Sequence, residues 1–154
     1  MDRHFEYPAN IQQDSAGFYL VTFPDFPEAA TDARSVDAAI AEGVDCLEEA
    51  VAGRMKRGEN ILAPSRLGEG MVPIPLPALY AMKAALYLAL QERQLSESAL
   101  AAKLRTDEKA VRRLLDSEHA TPISALDGSY TRSEKRAQIA VLKIPNPQNR
   151  SLKK

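Results

Sequence analysis

Apolar and polar positions first alternate with a period of two. His4 to Gln12 and Gly17 to Phe23 are runs rich in aromatic and β-branched residues, separated by the turn-prone Asp14-Ser15-Ala16-Gly17, a pattern that predicts a β-hairpin. In the second run Phe18, Leu20 and Thr22 alternate with Tyr19, Val21 and Phe23. Both faces are therefore largely apolar, as expected where one side meets a helix and the other a partner. Pro24-Asp25-Phe26-Pro27 is expected to end this strand, because proline brings no amide to a ladder. Ala29 to Thr31 is expected to pair briefly as a third strand.

At Ser35 the period changes. Val36, Ile40, Val44, Leu47, Val51 and Met55 recur every three or four residues and predict a helix to about Arg57, N-capped by Ser35, with one apolar stripe to lay on the hairpin. Glu42, Asp45, Glu48 and Glu49 fall largely off that stripe, and Gly58 stops the helix. Asn60 to Pro64 is expected to return as an edge strand, which completes a β-β-β-α-β unit. Ser65 to Pro77 combines Gly68 and Gly70 with the alternating Val72-Pro73-Ile74-Pro75-Leu76-Pro77, which is linker chemistry that also suits a sheet edge. The fold class is thus α+β, divided into a first domain over 1–70, a linker over 71–77, an all-α domain over 78–144 and a flexible tail over 145–154.

From Ala78 the pattern is helical. Leu79, Met82, Leu86 and Leu90 form a stripe that ends near Arg93-Gln94; a second helix starts at the N-cap Ser96 and runs to Leu104; a third runs from Thr106 or Asp107 to about Asp116. The last two have the layout of a helix-turn-helix. Ala101 is small enough for close approach of the next helix, and Val111 and Leu114 anchor that helix against Leu100 and Leu104. Asp107, Glu108, Lys109, Arg112 and Arg113 are then left pointing away from the core, where a recognition helix meets the major groove. Lys103 and Arg105 suit phosphates, with Ser96, Ser98 and Thr106 as further polar contacts at the helix starts and turn. Arg105 stands where many such turns carry glycine, so a wider turn or an altered contact geometry is expected. The alternative is a helical hairpin with a solvated basic face.

Charge sharpens the division. Residues 1–70 carry thirteen acids and six bases, a net of −7, whereas the other 84 carry eight acids and fourteen bases, a net of +6. Opposite fields suggest a basic partner for the front and a polyanion for the back. Cys46 is the only cysteine, so no internal disulfide forms. The start MDRHFEYPAN has no apolar core of a signal peptide, and no run reaches the roughly 18 apolar residues of a membrane span. A cytoplasmic protein is expected, with no cofactor.

These residues resemble the HicB family of antitoxins, in the subgroup with a C-terminal helix-turn-helix. The resemblance covers most of residues 5 to 142. It rests on Tyr7-Pro8-Ala9, on Asp14 with Gly17-Phe18-Tyr19-Leu20-Val21-Thr22-Phe23-Pro24-Asp25-Phe26-Pro27, on Thr31 and on the helix from Ser35. Further on it rests on Pro75-Leu76-Pro77, Lys83-Ala84-Ala85-Leu86-Tyr87, Asp107-Glu108-Lys109 and Val111-Arg112-Arg113-Leu114-Leu115. Family members usually carry glycine where Glu28 and Ala33 stand, and Asp127 to Glu134 is less regularly helical than the family's closing helix. The resemblance implies a reduced ribonuclease-H-like front domain without the nuclease's working carboxylates, which covers a basic HicA-type mRNA endoribonuclease toxin. It also implies that a dimer or tetramer represses its own operon through operator DNA. Toxin contacts are expected from Tyr19 to Glu28, at Tyr19, Phe23, Asp25, Phe26 and Glu28.

Two other classes compete. A metal-dependent nuclease needs clustered carboxylates, and Asp14, Asp25, Glu28 and Asp32 are candidates by loop proximity, against the expectation of solvated loop acids. Hydrolytic triads lack support: His4 is terminal, His119 follows the third helix, and Cys46 has no nearby histidine. A stand-alone regulator with a small-ligand-sensing front domain would use Tyr19, Phe23 and Phe26 as a pocket instead of an interface. Arg136 to Ile144 alternates enough to form a late strand that could pair across a dimer.

Overall fold

The computed structural model describes residues 5–116, and these fall into two compact units that divide after Ala81. The readings on His119, Asp127 to Glu134, the strand from Arg136 and the tail lie outside the described residues.

The first unit is a four-stranded antiparallel sheet with a helix on one face. β1 spans Glu6–Gln13, β2 Tyr19–Phe23, β3 Phe26–Ala33 and β4 Val72–Pro75, in the order β3-β2-β1-β4, and α1 spans Val36–Lys56. β1 changes partner half-way: Glu6 to Ala9 pair with β4, and Asn10 to Gln13 pair with β2. The β1–β2 turn is built by Asp14, whose carboxylate accepts the amides of Ala16 and Phe18, both at 2.9 Å, while Gly17 takes the positive φ of 87°.

The third strand is longer than its sequence suggests. It begins at Phe26, immediately after the two-residue turn Pro24-Asp25, and runs through Pro27. Thr22 faces Ala30 while the next residue, Phe23, faces Phe26, so Pro27 to Ala29 bulge outside the regular ladder. The missing amide of Pro27 falls in that irregular stretch, where no regular ladder needs it.

The fourth strand is displaced from its expected place. Asn60 to Pro64 has no regular structure, and the edge strand is instead β4, in the proline-alternating segment read as a linker that also suits a sheet edge. Leu76 donates its amide to Phe5 at 2.8 Å, and the register continues with Ile74 opposite Tyr7. In an antiparallel ladder alternate residues turn their amides toward the partner, so Pro73 and Pro75 occupy the positions whose amides point away from β1. Pro8 of β1 is tolerated for a related reason. It sits before the β1–β2 pairing starts at Asn10.

Residues facing one another across the strands divide the sheet into two sides. Tyr7, Ala9, Val21, Phe23 and Ile74 lie on the α1 side and are buried; Gln12, Leu20, Ala30, Asp32, Pro73 and Pro75 lie on the other side and are exposed. The helix lands on the sheet through Ala39, Gly43, Leu47, Val51 and Met55, one residue round from the expected stripe in its first turns, and leaves Val36 44% exposed. The small Ala39 and Gly43 let the axis approach: a Cβ on Gly43 would stand 3.4 Å from Val21 Cγ1 and 3.6 Å from Ile74 Cδ1.

The described part of the second unit is helical. α2 spans Ala78–Arg93, beginning in the last residues of the first unit; α3 spans Glu97–Leu104 and α4 Glu108–Leu115. Ala89, Leu90, Leu100, Ala101 and Val111 form the core, flanked by Leu86, Leu95, Leu104 and Leu115. Both described joints use a left-handed residue, Gln94 with φ 51° and Arg105 with φ 52°. The expected widening at Arg105 does not occur. Arg105 adopts the glycine-like conformation itself, and the next amide, Thr106, closes onto the Ala101 carbonyl at 3.0 Å.

Candidate functional site

Two surfaces concentrate polar chemistry, one in each unit. In the second, Ser96 accepts the Ala99 amide at 3.1 Å and Asp107 accepts the Ala110 amide at 2.7 Å, so both short helices begin on side-chain caps. Ser98 donates to Glu108 across the two helices. Arg112 donates from Nε to Glu97 at 3.2 Å and from Nη2 to Glu108 at 3.3 Å. Lys103, Arg105, Lys109 and Arg113 are exposed and make no ion pair among the described residues. Lys83 is the buried exception: only 2% exposed on α2, its ammonium donates to the carbonyl of Asp116, just past α4.

In the first unit the solvent side of α1 is strongly acidic. Asp37, Glu42, Asp45 and Glu49 are exposed, and no lysine or arginine interrupts residues 36–53. The helix ends in a basic knot. Arg54 donates to both oxygens of Glu28 at 2.6 and 2.8 Å, lies 4.6 Å over the Phe26 ring and reaches the Asn60 carbonyl. The Arg54 hydrogen bond holds the Glu28 carboxyl below its ordinary value. Asp25, 6% exposed, accepts the Ser65 amide at 2.9 Å, and Tyr7 donates to the Leu62 carbonyl at 2.8 Å. These bonds fasten the irregular segment after α1 to the β2–β3 turn and to β1. Burial, and then the charge of Asp25, push the Tyr7 phenol far above its ordinary value.

A family model described as the HicB_like antitoxin of a bacterial toxin-antitoxin system matches residues 6–85, just over half of the chain. The chain belongs to the HicB-like antitoxin family. It is 30% identical over 120 residues to "Antitoxin HicB" of Escherichia coli, covering 78% of this chain and 87% of that protein. It is 28% identical over 142 residues to "Antitoxin HicB 2" of Photorhabdus laumondii, covering 92% of this chain and all of that one, and 28% identical over 124 residues to "Antitoxin HicB 1" of the same organism, covering 80% and 79%. Each of these alignments is longer than the first unit, so the likeness to HicB proteins continues into the second.

The side chains expected at the toxin surface are placed unequally. Phe23 and Phe26 are 2% and 0% exposed and Asp25 is 6% exposed, so these three build the core and its turn. Tyr19 is half-buried on the α1 side of β2, and Glu28 is exposed but committed to Arg54. On the opposite side of the same strand Leu20, 42% exposed, stands between Gln12 and Asp32 on the open face.

The ten polar residues expected at the second surface lie on α3, α4 and their flanks, but in unequal states. Ser96 and Asp107 cap helices, Ser98, Glu108 and Arg112 bond to one another or to Glu97, and the remaining cations and Thr106 are open. Of the four acids weighed as a nuclease site, three are separately engaged, Asp14 in its turn, Asp25 with Ser65 and Glu28 with Arg54, while Asp32 is exposed on the open face. Among the described residues no three His, Cys, Asp or Glu side chains gather into a metal site. Nor is any described helix long and apolar enough to cross a membrane.

Proposed function

We propose that this HicB-like antitoxin neutralises a basic HicA-type endoribonuclease through its first unit and represses its own operon through its second. Membership of the family is the observation that carries the antitoxin role, and a toxin partner is what that membership implies. The uninterrupted acidic side of α1 supports a basic partner, since like-signed partners are repelled and opposite ones steered. The reading of the first unit as a reduced ribonuclease-H-like fold rests on its β-β-β-α-β order and on α1 covering one sheet face. Three of the four candidate carboxylates are bonded separately, Asp14 in its turn, Asp25 to the Ser65 amide and Glu28 to Arg54, which favours a binding role over a nuclease.

The second unit is read as a helix-turn-helix with α4 as recognition helix. The tight Arg105 turn, the caps at Ser96 and Asp107 and the close-packed Ala101 support it. Lys103, Arg105, Lys109 and Arg113 serve phosphates, with Ser96, Ser98, Thr106 and Asp107 at the backbone-facing ends. A homodimer or tetramer places two such units on a symmetric operator. The protein acts in the cytoplasm, without a cofactor.

Co-expression with the product of the adjacent small open reading frame tests the first half. Growth rescue together with a co-purifying complex is expected, and Glu42→Lys with Asp45→Lys is expected to weaken that complex while the chain stays folded. A harmless neighbour that forms no complex would instead favour a ligand-responsive regulator. Arg112→Ala with Arg113→Ala is expected to abolish operator binding and leave toxin neutralisation intact; equal loss of both functions would sink the two-surface reading.

A further inference from the structure

We infer that Arg112 reads a guanine in the operator and that Glu97 and Glu108 are positioning residues which hold its guanidinium ready. The inference rests on the operator-binding reading above and names the residue that gives that surface its sequence preference. Of the five cations on α3, α4 and the turn, Arg112 is the one engaged by other side chains among the described residues, and it is held from two helices at once. Glu97 lies in the first turn of α3 and Glu108 in the first turn of α4. Glu97 takes the Nε hydrogen and Glu108 an Nη2 hydrogen, while the other oxygen of Glu108 accepts from Ser98.

The pattern of occupied donors decides the role. A guanidinium carries five N–H groups in one plane. The two carboxylates take the Nε hydrogen and one of the two Nη2 hydrogens, which leaves Nη1 and the other Nη2 hydrogen as a pair of donors on a side chain that is 66% exposed. Two parallel donors on a rigid plane match O6 and N7 of guanine in the major groove, the commonest base-specific contact of arginine. A phosphate would gain less here, because two carboxylates offset the cation, whereas Lys103, Arg105, Lys109 and Arg113 keep their full charge. Fixing the plane before binding also removes part of the ordering cost of a long side chain. Arg112 is thereby suited to discriminate, and its unpaired neighbours to attract.

The test uses the full chain with two probes, the duplex immediately upstream of its own coding region and an unrelated duplex of equal length. Arg112→Lys keeps the charge and loses the fork. It is expected to cut the ratio of affinities by about ten- to a hundredfold, the range for one bidentate base contact, without changing the slope of affinity against salt. Replacing the guanines by 7-deazaguanine removes N7. It is expected to weaken the unaltered chain and to cause Arg112→Ala no further loss at the guanine concerned. Glu97→Gln with Glu108→Gln is expected to lower the ratio while raising affinity for the unrelated duplex. Equal sensitivity of Arg112→Ala and the unaltered chain to 7-deazaguanine overturns the assignment, as does a Gln pair that strengthens both duplexes by the same factor. An unaltered chain that does not prefer the upstream duplex overturns the operator reading, and this inference with it.

Discussion

The phenol of Tyr7, near the start of β1, donates to the carbonyl of Leu62 at 2.8 Å, and its ring meets the Phe26 ring edge-on at 5.1 Å between centroids. One side chain therefore joins the sheet, the β2–β3 turn and the irregular return from α1. Tyr7→Phe keeps the ring contact and removes the bond, at a cost of about 1 kcal/mol. A fall of roughly 4–8 °C in the melting temperature of the first unit is expected, measured by calorimetry.

The same phenol sets an alkaline limit. Its value in the folded chain is raised above the ordinary 10.0, by burial first and by Asp25 second, against the opposing pull of Arg54. A raised value means the folded state holds the proton more tightly than the unfolded state. The stabilisation is complete below about pH 10 and is lost progressively as pH rises beyond it. Urea midpoints measured from pH 8 to 11 should fall at the top of that range, and fall less in Tyr7→Phe.

Gly43 tests how closely α1 sits on the sheet. A methyl group there meets Val21, Ile74 and Phe23 at 3.4 to 3.8 Å, ordinary contact distances. Gly43→Ala is expected to be neutral or to stabilise by up to about 1 kcal/mol through helix propensity. Gly43→Leu is expected to destabilise by about 1–3 kcal/mol by levering the helix away. Equal denaturation midpoints for the two variants would contradict this packing.

These residues also show what the sequence could and could not disclose. The β1–β2 hairpin, α1 with its Ser35 cap and the three later helices were legible, because periodicity and caps are local signals and each element obeys its own. β3 was cut short because proline was taken to end pairing, and for β4 the alternating prolines left linker and sheet edge both open. That rule concerns amides, and whether an amide is needed depends on which strand lies on that side, which is tertiary information. The same limit affected the surface. Tyr19, Phe23 and Phe26 are attractive contact residues until the register assigns their side of the sheet to α1, and a period-two pattern cannot say which side a distant helix will choose. For the turn, by contrast, the position of Arg105 was legible and only its willingness to adopt a positive φ was not.

Arg105 separates stability from binding. Its left-handed backbone costs a side-chain-bearing residue roughly 1 kcal/mol. Arg105→Gly relieves that strain while making the unfolded chain more flexible, so a change in stability of less than about 1 kcal/mol is expected. On the proposed function it also removes one phosphate contact. Operator affinity should fall evenly across sequences, with the salt dependence reduced by about one ion. A selective loss on the preferred duplex alone would assign Arg105 to base reading instead.

Arg54 joins α1 to β3. Arg54→Ala removes the two-pronged Glu28 contact, worth about 0.2–1 kcal/mol after solvent screening, and the Phe26 face contact, about 0.5–1 kcal/mol. Because the Glu28 carboxyl is held below its ordinary 4.5, its contribution is present above that pH and fades as pH falls through and below it. The gap in melting temperature between Arg54→Ala and the unaltered chain should therefore narrow in acid, and narrow again in high salt.

The alternation of proline in β4 reaches beyond the strand itself. With Pro73 and Pro75 turned outward, the margin of the sheet beyond β4 offers ring carbons where a further strand would look for hydrogens. Strand addition along β4 is thereby discouraged, because alternate positions of that margin have no amide to give. Two residues that in sequence look like nothing more than a spacer thus guard one edge of the sheet.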